Sequence, residues 1–81
     1  MKQKFYILAT LIEKEETTAD NHTLYTSLEK AEKAFPLEIE HCREQFEGED
    51  GQTLLDLPRY HEWRNDDGDG FSVAIEEVEP Q

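Results

Sequence analysis

The clearest alternation of apolar and polar side chains lies near the C-terminal end of the chain. Phe71, Val73 and Ile75 alternate with small or polar residues, which is the period-2 pattern of a strand with one buried face. Trp63 comes before a segment of Asn, Asp and Gly at positions 65–70, and these residue types tolerate positive φ in tight turns. The pattern predicts a C-terminal β-hairpin.

The length of the hairpin loop decides which way the tryptophan points. A four-residue loop would set Trp63 opposite Ser72, on the face away from the apolar side chains. A five-residue loop over residues 66–70 would set Trp63 opposite Val73, on the apolar face. Because a tryptophan is expected to be buried, we favour the five-residue loop, or a shorter one with Gly70 in a bulge.

The first predicted strand, residues 4–13, is apolar at both alternating sets of positions. Such a strand is usually covered on both faces. We expect one set to face the core, and this set is Phe5, Ile7, Ala9 and Leu11. The other set is Tyr6, Leu8 and Ile12. Residues 15–22 are predicted to form a polar turn, and residues 23–25 a short second strand that pairs with the first.

A long helical stripe follows, in which apolar residues are spaced by three or four positions. They are Leu28, Ala31, Phe35, Ile39, Cys42 and Phe46. Thr26 and Glu29 match a capping box at its start. Pro36 removes a helix hydrogen bond, yet the stripe keeps its phase across it. We therefore predict one kinked helix over residues 27–47, or two short helices joined at the proline, ending at Gly48.

Residues 51–58, with the sequence GQTLLDLP, are predicted to form an apolar loop that covers one end of the core. The predicted fold class is α+β, in a single small domain over residues 1–81. A small antiparallel sheet of three or four strands would pack on the kinked helix or the two short helices, with the C-terminal β-hairpin in the sheet. The predicted core is Phe5, Ile7, Ala9, Leu11, Leu28, Ala31, Phe35, Ile39, Cys42, Phe46, Trp63, Phe71, Val73 and Ile75.

Charge changes this picture, because the chain carries a net charge of −12 that is unevenly placed. Residues 1–37 hold five basic and six acidic residues, whereas residues 38–81 hold three basic and fourteen acidic ones. A basic nucleic-acid-binding footprint is absent. The lone Cys42 excludes an internal disulfide, and the N-terminal apolar run is shorter than the ~20 residues of a membrane span. We expect a cytoplasmic protein.

One motif in the predicted hairpin has the spacing of a calcium-binding loop. Asn65, Asp67 and Asp69, followed by Gly70 and then Glu76, match an EF-hand loop. The Asn at the first position lowers the ligand charge, and a strand beginning at residue 71 would carry the glutamate away. We therefore favour an acid-rich turn and predict no metal or cofactor, with a calcium-binding module at residues 65–76 as an alternative.

No arrangement of residues predicts catalysis. His41 and Cys42 are neighbours on the predicted helix, where their side chains would point about 100° apart. The other histidines, His22 and His61, lie in separate predicted elements. The sequence contains neither a phosphate-binding glycine motif nor a serine nucleophile motif. We expect a protein that is not an enzyme.

The remaining signal is the acidic surface of the second half of the chain. It could be a solvated face that aids solubility. We favour a non-catalytic interaction module, a monomer or weak homodimer that binds a basic protein surface and neither nucleic acid nor a membrane. An alternative is a nucleic-acid mimic or inhibitor of a nucleic-acid-binding protein. The predicted partner-binding residues are Glu38, Glu40, Glu44, Glu47, Asp66, Asp67, Asp69 and Glu76.

Overall fold

The computed structural model describes residues 4–79, which form five strands and one helix. The elements are β1 (Phe5–Lys14), β2 (Thr17–Tyr25), α1 (Leu28–Glu44), β3 (Gly51–Leu57), β4 (Tyr60–Asn65) and β5 (Gly70–Val78). The strands form one antiparallel sheet in the order β2-β1-β5-β4-β3, with α1 packed on one face. The predicted α+β class and the C-terminal hairpin are confirmed, but the sheet has five strands rather than three or four.

The second strand is much longer than predicted, because the polar segment that precedes it is also extended. Lys14 pairs with Thr17 across a two-residue turn, and both turn residues, Glu15 and Glu16, have positive φ angles of 50° and 67°. This is the geometry of a type I′ hairpin turn, which usually contains Asn and Gly. The predicted polar turn over residues 15–22 is therefore wrong beyond its first two residues.

The third strand replaces the predicted loop over residues 51–58. It pairs with β4 at the edge of the sheet, with a register shift between Thr53 and Leu55 that leaves Leu54 in a bulge. The bulge breaks the period-2 alternation that would have indicated a strand. All seven residues of β3 are exposed, so its leucines do not cover the core as predicted.

The helix is one continuous element, and the alternative of two short helices is wrong. Its N-cap is Ser27, whose hydroxyl accepts a hydrogen bond from the Lys30 N–H, rather than the predicted Thr26. Pro36 is exposed on the helix surface, where water can reach the carbonyl that loses its donor. Beyond Glu44 the chain continues in turns whose hydrogen bonds join residues three apart, tighter than those of an α-helix. Gly48 follows these turns with a φ of 84°.

The core lies between the apolar stripe of α1 and its continuation on one side and a single face of the sheet on the other. The predicted stripe is confirmed, with Leu28 and Ile39 partly buried against the fully buried members. The rings of Phe46, Trp63 and Phe71 pack together, with centroids 5.2–6.3 Å apart. The buried residues are Leu8, Ala31, Phe35, Cys42, Phe46, Trp63, Phe71, Val73 and Ile75.

The first strand faces the core with the set of residues opposite to the predicted one. Leu8 pairs with Ile75, and Ile12 pairs with Phe71. Because directly paired residues point to the same side of a sheet, Leu8 and Ile12 face α1. The prediction that Phe5, Ile7, Ala9 and Leu11 face the helix is wrong. They lie on the opposite side of the sheet, which is called the open face below.

The hairpin places the tryptophan as expected but in a different register. Trp63 pairs with Phe71 rather than Val73, and it shares their buried face. The Asn65 N–H donates to the Asp69 carbonyl, which closes a shorter loop than the five-residue one. The positive φ of this loop, 89°, is at Gly68 rather than at the predicted bulge position.

Candidate functional site: the acidic end

Three chain segments rich in carboxylates meet at one end of the sheet. They are the β1–β2 turn, the segment that follows α1, and the β4–β5 turn. We call this region the acidic end and define it as residues 15–16, 44–50 and 65–69. It contains five of the eight predicted partner-binding residues, namely Glu44, Glu47, Asp66, Asp67 and Asp69.

Direct hydrogen bonds hold the three segments together. The side-chain amide of Asn65 donates to Glu49 Oε1 at 2.8 Å. This bond joins the β4–β5 turn to the segment that follows α1, which is called the helix exit below. The Lys14 ammonium donates to the Gln45 carbonyl at 2.8 Å, joining the end of β1 to the same exit. The Glu15 N–H lies 3.4 Å from Asp69 Oδ2, between the two hairpin turns. The acidic end is therefore built by tertiary contacts and not by one acidic run of sequence.

The side chain of Asn65 organises the hairpin turn. It is buried, and its Oδ1 accepts hydrogen bonds from the N–H groups of Asp67 and Asp69, each at 2.9 Å. This Asx-type arrangement turns the backbone and directs Asp66 and Asp67 outwards, where both are exposed. The local sequence thus positions two exposed carboxylates at the tip of the hairpin.

The calcium-loop spacing does not bring its members together. The Asn65 oxygen is occupied by backbone N–H groups, and Glu76 lies on β5 opposite Ile7, on the open face. Within residues 4–79, no group of three or more His, Cys, Asp or Glu side chains has the geometry to hold a metal ion. The loop has the form of an acid-rich hairpin turn.

Within the described part of the chain, α1 and β1 each direct a cation to the acidic end, and both cations are engaged in internal contacts. Arg43 donates to the carbonyls of Phe46 and Glu49 at 2.8 and 3.3 Å, and its guanidinium lies 4.2 Å from the centre of the Trp63 ring. Lys14, besides its bond to the helix exit, lies 3.7 Å from Glu49 Oε2 and 5.1 Å from the centre of the Phe46 ring. Both cations close the end of the core.

A third cation, Arg64, is held on the other side of the hairpin. Its Nε and Nη2 atoms donate to Glu62 at 2.9 Å and Glu13 at 3.1 Å. Tyr60 also donates to Glu62 at 2.9 Å. The hydrogen bonds from Arg64 and then Tyr60 hold the pKa of Glu62 below its ordinary value. Arg64 therefore neutralises carboxylates within the sheet rather than those at the turn.

The outward-facing carboxylates line two hollows. Glu40, Glu44 and Glu47 line the first along the end of α1, together with Arg43. The second lies between the helix exit and the hairpin turn, and it is lined by Glu49, Asp50, Asn65, Asp66 and Asp67. Among residues 4–79, no ion pair within 4.0 Å joins a cation to Glu40, Glu44, Glu47, Asp66 or Asp67.

The other three predicted residues, Glu38, Glu40 and Glu76, lie outside the acidic end as defined. Glu40 lines the first hollow, and Glu76 lies on the open face. Glu38 is half-buried on α1, where its Oε1 is 3.8 Å from the Cys42 sulfur. Burial, followed by the neighbouring Glu38 carboxylate, raises the pKa of Cys42 to about 12, so its thiol stays protonated and is a poor nucleophile. His41 is exposed while Cys42 is buried, and the two do not form a pair.

Several acidic residues of this end were not among those predicted from sequence. Glu15 and Glu16 belonged to a predicted polar turn, and only the pairing of β1 with β5 brings that turn beside Asp69. Glu49 and Asp50 follow the helix, and the hydrogen bond from Asn65 places them against the hairpin. The run of acidic residues after the predicted helix was a signal for Glu49 and Asp50, whereas no sequence signal pointed to Glu15 and Glu16.

Comparison of the chain with protein-family models, with curated proteins and with solved structures finds no match in any of the three. The helix formed within residues 4–79 is not long and apolar enough to cross a membrane. The function must therefore be inferred from the surface itself.

Proposed function

We propose that this protein is a non-catalytic interaction module that binds a basic protein surface through its acidic end. The observation that carries the proposal is the convergence of three acidic segments whose nearby cations are engaged in internal contacts. The carboxylates that remain face solvent without a cation within 4.0 Å among the described residues. Such a surface attracts a positively charged partner and speeds the encounter between them.

The arrangement of the acidic end also supports a defined docking geometry. Its carboxylates are held on a hydrogen-bonded turn and on the end of a helix, rather than on a free tail. Fixed charges lose less side-chain freedom on binding than charges on a mobile segment. The two hollows offer separate places for cationic side chains, one beside Glu44 and one beside Asp66.

The test compares two triple variants that carry the same change in net charge. Glu44→Gln/Glu47→Gln/Asp66→Asn removes charge from the acidic end, and Glu29→Gln/Glu32→Gln/Glu79→Gln removes it elsewhere. Each chain is used to capture partners from a cell lysate, and the association rate with the captured protein is then measured at ~0.1 M and ~1 M salt, where the Debye length falls from ~10 to ~3 Å.

We expect the acidic-end variant to associate at least about tenfold more slowly than wild type, and the control variant to stay close to wild type. Association should also slow strongly with salt. Equal capture by both variants, or association that is independent of salt, would show that the acidity serves solubility. Competition by DNA or RNA for the captured partner would identify it as a nucleic-acid-binding protein and support the mimic alternative.

A further inference from the structure

The open face of the sheet has no covering element among residues 4–79, although several large apolar side chains lie on it. α1 packs on the opposite face, against β1 and β5. Strand pairing places large apolar side chains from four strands on the open face. They include Phe5, Ile7, Leu11, Leu24, Leu57 and Val78. An apolar sheet face of this kind marks an interaction surface when polar residues surround it.

A shallow trough of about 280 Å³ runs along the centre of this face. Its floor is made of small residues on the two central strands, Ala9, Ser72 and Ala74. Larger side chains from β2 and β4, including His22 and Tyr60, border it on both sides. Strands are about 4.8 Å apart, so about 14 Å separates β2 from β4, which accommodates a helix 10–12 Å wide.

The charges around the trough indicate the kind of partner. Asp20 and Glu76 line it, and no ion pair within 4.0 Å joins either carboxylate to a cation among the described residues. The open-face arginine, Arg64, is already bonded to Glu13 and Glu62. A second copy of the chain would bring two sets of these acidic residues together, and like charges repel. Charge complementarity therefore favours a basic partner over self-association.

We infer that the open face binds an amphipathic, basic helix of a partner protein. The apolar side of the helix would cover the apolar residues of this face. Lysine or arginine side chains would lay their alkyl chains over the small residues of the trough and bring one cation to Asp20 and another to Glu76. This surface is separate from the acidic end, so the inference does not depend on the proposed function.

The experiment uses two synthetic 18-residue peptides as probes and the full chain as the receptor. The first peptide forms an amphipathic helix of leucine and lysine, and in the second peptide serine replaces every leucine. Leu24→Glu changes the open face at a residue that is 61% exposed, and Leu37→Glu is the matched control on α1 at a residue that is 66% exposed. Affinities are measured by calorimetry, and folding is checked by thermal unfolding.

We expect the leucine–lysine peptide to bind wild type and Leu37→Glu equally, and Leu24→Glu at least about tenfold more weakly. Leu57→Glu changes another residue of the same face, which is 52% exposed, and it should weaken binding to the same extent. It replaces Leu24→Glu in the test if that variant does not fold. Asp20→Asn/Glu76→Gln should also weaken binding, whereas Glu32→Gln/Glu79→Gln should not.

Other outcomes would overturn the inference. Equal binding of the leucine and serine peptides would show that charge alone accounts for binding. Equal loss in Leu24→Glu and Leu37→Glu would show that the peptide does not bind specifically at the open face. Shifts of backbone amide resonances confined to the acidic end would place the peptide there, which would be consistent with the proposed function but not with this inference. A wild-type dimer that Leu24→Glu converts to a monomer would show that a second copy covers the face.

Discussion

The two faces of the sheet have similar apolar character along β1, but only one of them forms the core. On the face under α1, Phe71 and Val73 have no exposed surface, whereas Leu24 and Leu57 on the open face remain more than half exposed. The difference arises because α1 contributes a matching apolar stripe to one face only. Apolar residues in a strand are therefore necessary for a core, but a second apolar layer decides which of them become buried.

The helix-covered face of β1 is selected by the pairing of β1 with β5. β5 alternates strictly, so its buried set is clear from sequence, and pairing then assigns Leu8 opposite Ile75 to the same side. The residues of β1 that face α1 include Thr10, which is polar. Those on the open face, the alternate residues from Phe5 to Leu11, are all apolar. Hydrophobicity within β1 alone thus points to the wrong face.

The largest expected effect comes from removing a buried ring that packs against the covered face. Phe46→Ala should reduce the free energy of unfolding by about 3–5 kcal/mol, because it removes a fully buried side chain that contacts Trp63 and Phe71 and leaves a cavity. Leu57→Ala on the open face should cost less than about 1 kcal/mol. Urea denaturation of both variants measures the difference, and similar losses would show that the open face is also a core.

A second pair of variants tests the assignment of faces within β1. Leu8→Ala should cost about 2–4 kcal/mol, since Leu8 is buried beneath α1. Ile7→Ala is the neighbouring change on the open face, where the side chain is half-buried, and it should cost clearly less. Urea denaturation should rank Leu8→Ala as the more destabilised variant. The reverse order would mean that the register of β1 against β5 is shifted by one residue.

Much of the fold could be predicted because its signals are local and periodic. The stripe from Leu28 to Phe46 kept its helical spacing across Pro36, and the alternation at Phe71, Val73 and Ile75 indicated a half-buried strand. β2 and β3 were harder, because edge strands exposed to solvent carry no pattern of burial. In β3 the bulge at Leu54 further breaks the alternation, and in β2 the turn is built from Glu15 and Glu16 in place of Asn and Gly.

The acidic end could be predicted only in part, for a different reason. Glu44 and Glu47 were recognisable from the acidic run along the helix, and Asp66 and Asp67 from the turn that follows Asn65. Their proximity depends on tertiary hydrogen bonds such as that between Asn65 and Glu49. The internal contacts of Arg43 are equally non-local, and sequence gives no indication that this cation stacks on Trp63.

The covered face should also make the stability of the protein depend on pH in the alkaline range, through Cys42. Burial raises the pKa of Cys42 to about 12, compared with 9.0 for an exposed thiol. Above pH 9 the unfolded chain loses this proton while the folded chain keeps it, so rising pH favours unfolding. The stability contribution is complete below pH 9. It should fall by up to about 1.4 kcal/mol for each pH unit between 9 and 12.

Cys42→Ala provides the control, because it removes the titrating group. Between pH 8 and pH 10, the free energy of unfolding should fall by about 1 kcal/mol more in wild type than in Cys42→Ala, as measured by denaturation at the two pH values. A thiol reagent should in addition react slowly with the native protein and rapidly in denaturant. Rapid reaction of Cys42 in the native protein would indicate that α1 separates readily from the sheet. The covered face would then be less stable than its close packing suggests.

The smallest expected effect concerns the carboxylates of the open face. Asp20→Asn/Glu76→Gln should change the free energy of unfolding by less than about 0.5 kcal/mol, because both side chains are exposed and lack an ion-pair partner within the described residues. The change should be stabilising at low salt, since it reduces self-repulsion in a chain of net charge −12, and it should vanish at ~1 M salt, where the Debye length is ~3 Å. Glu32→Gln/Glu79→Gln carries the same charge change and should behave alike in denaturation. A loss above about 1 kcal/mol confined to the open-face pair would show that these carboxylates support the fold, and their part in binding could then no longer be separated from stability.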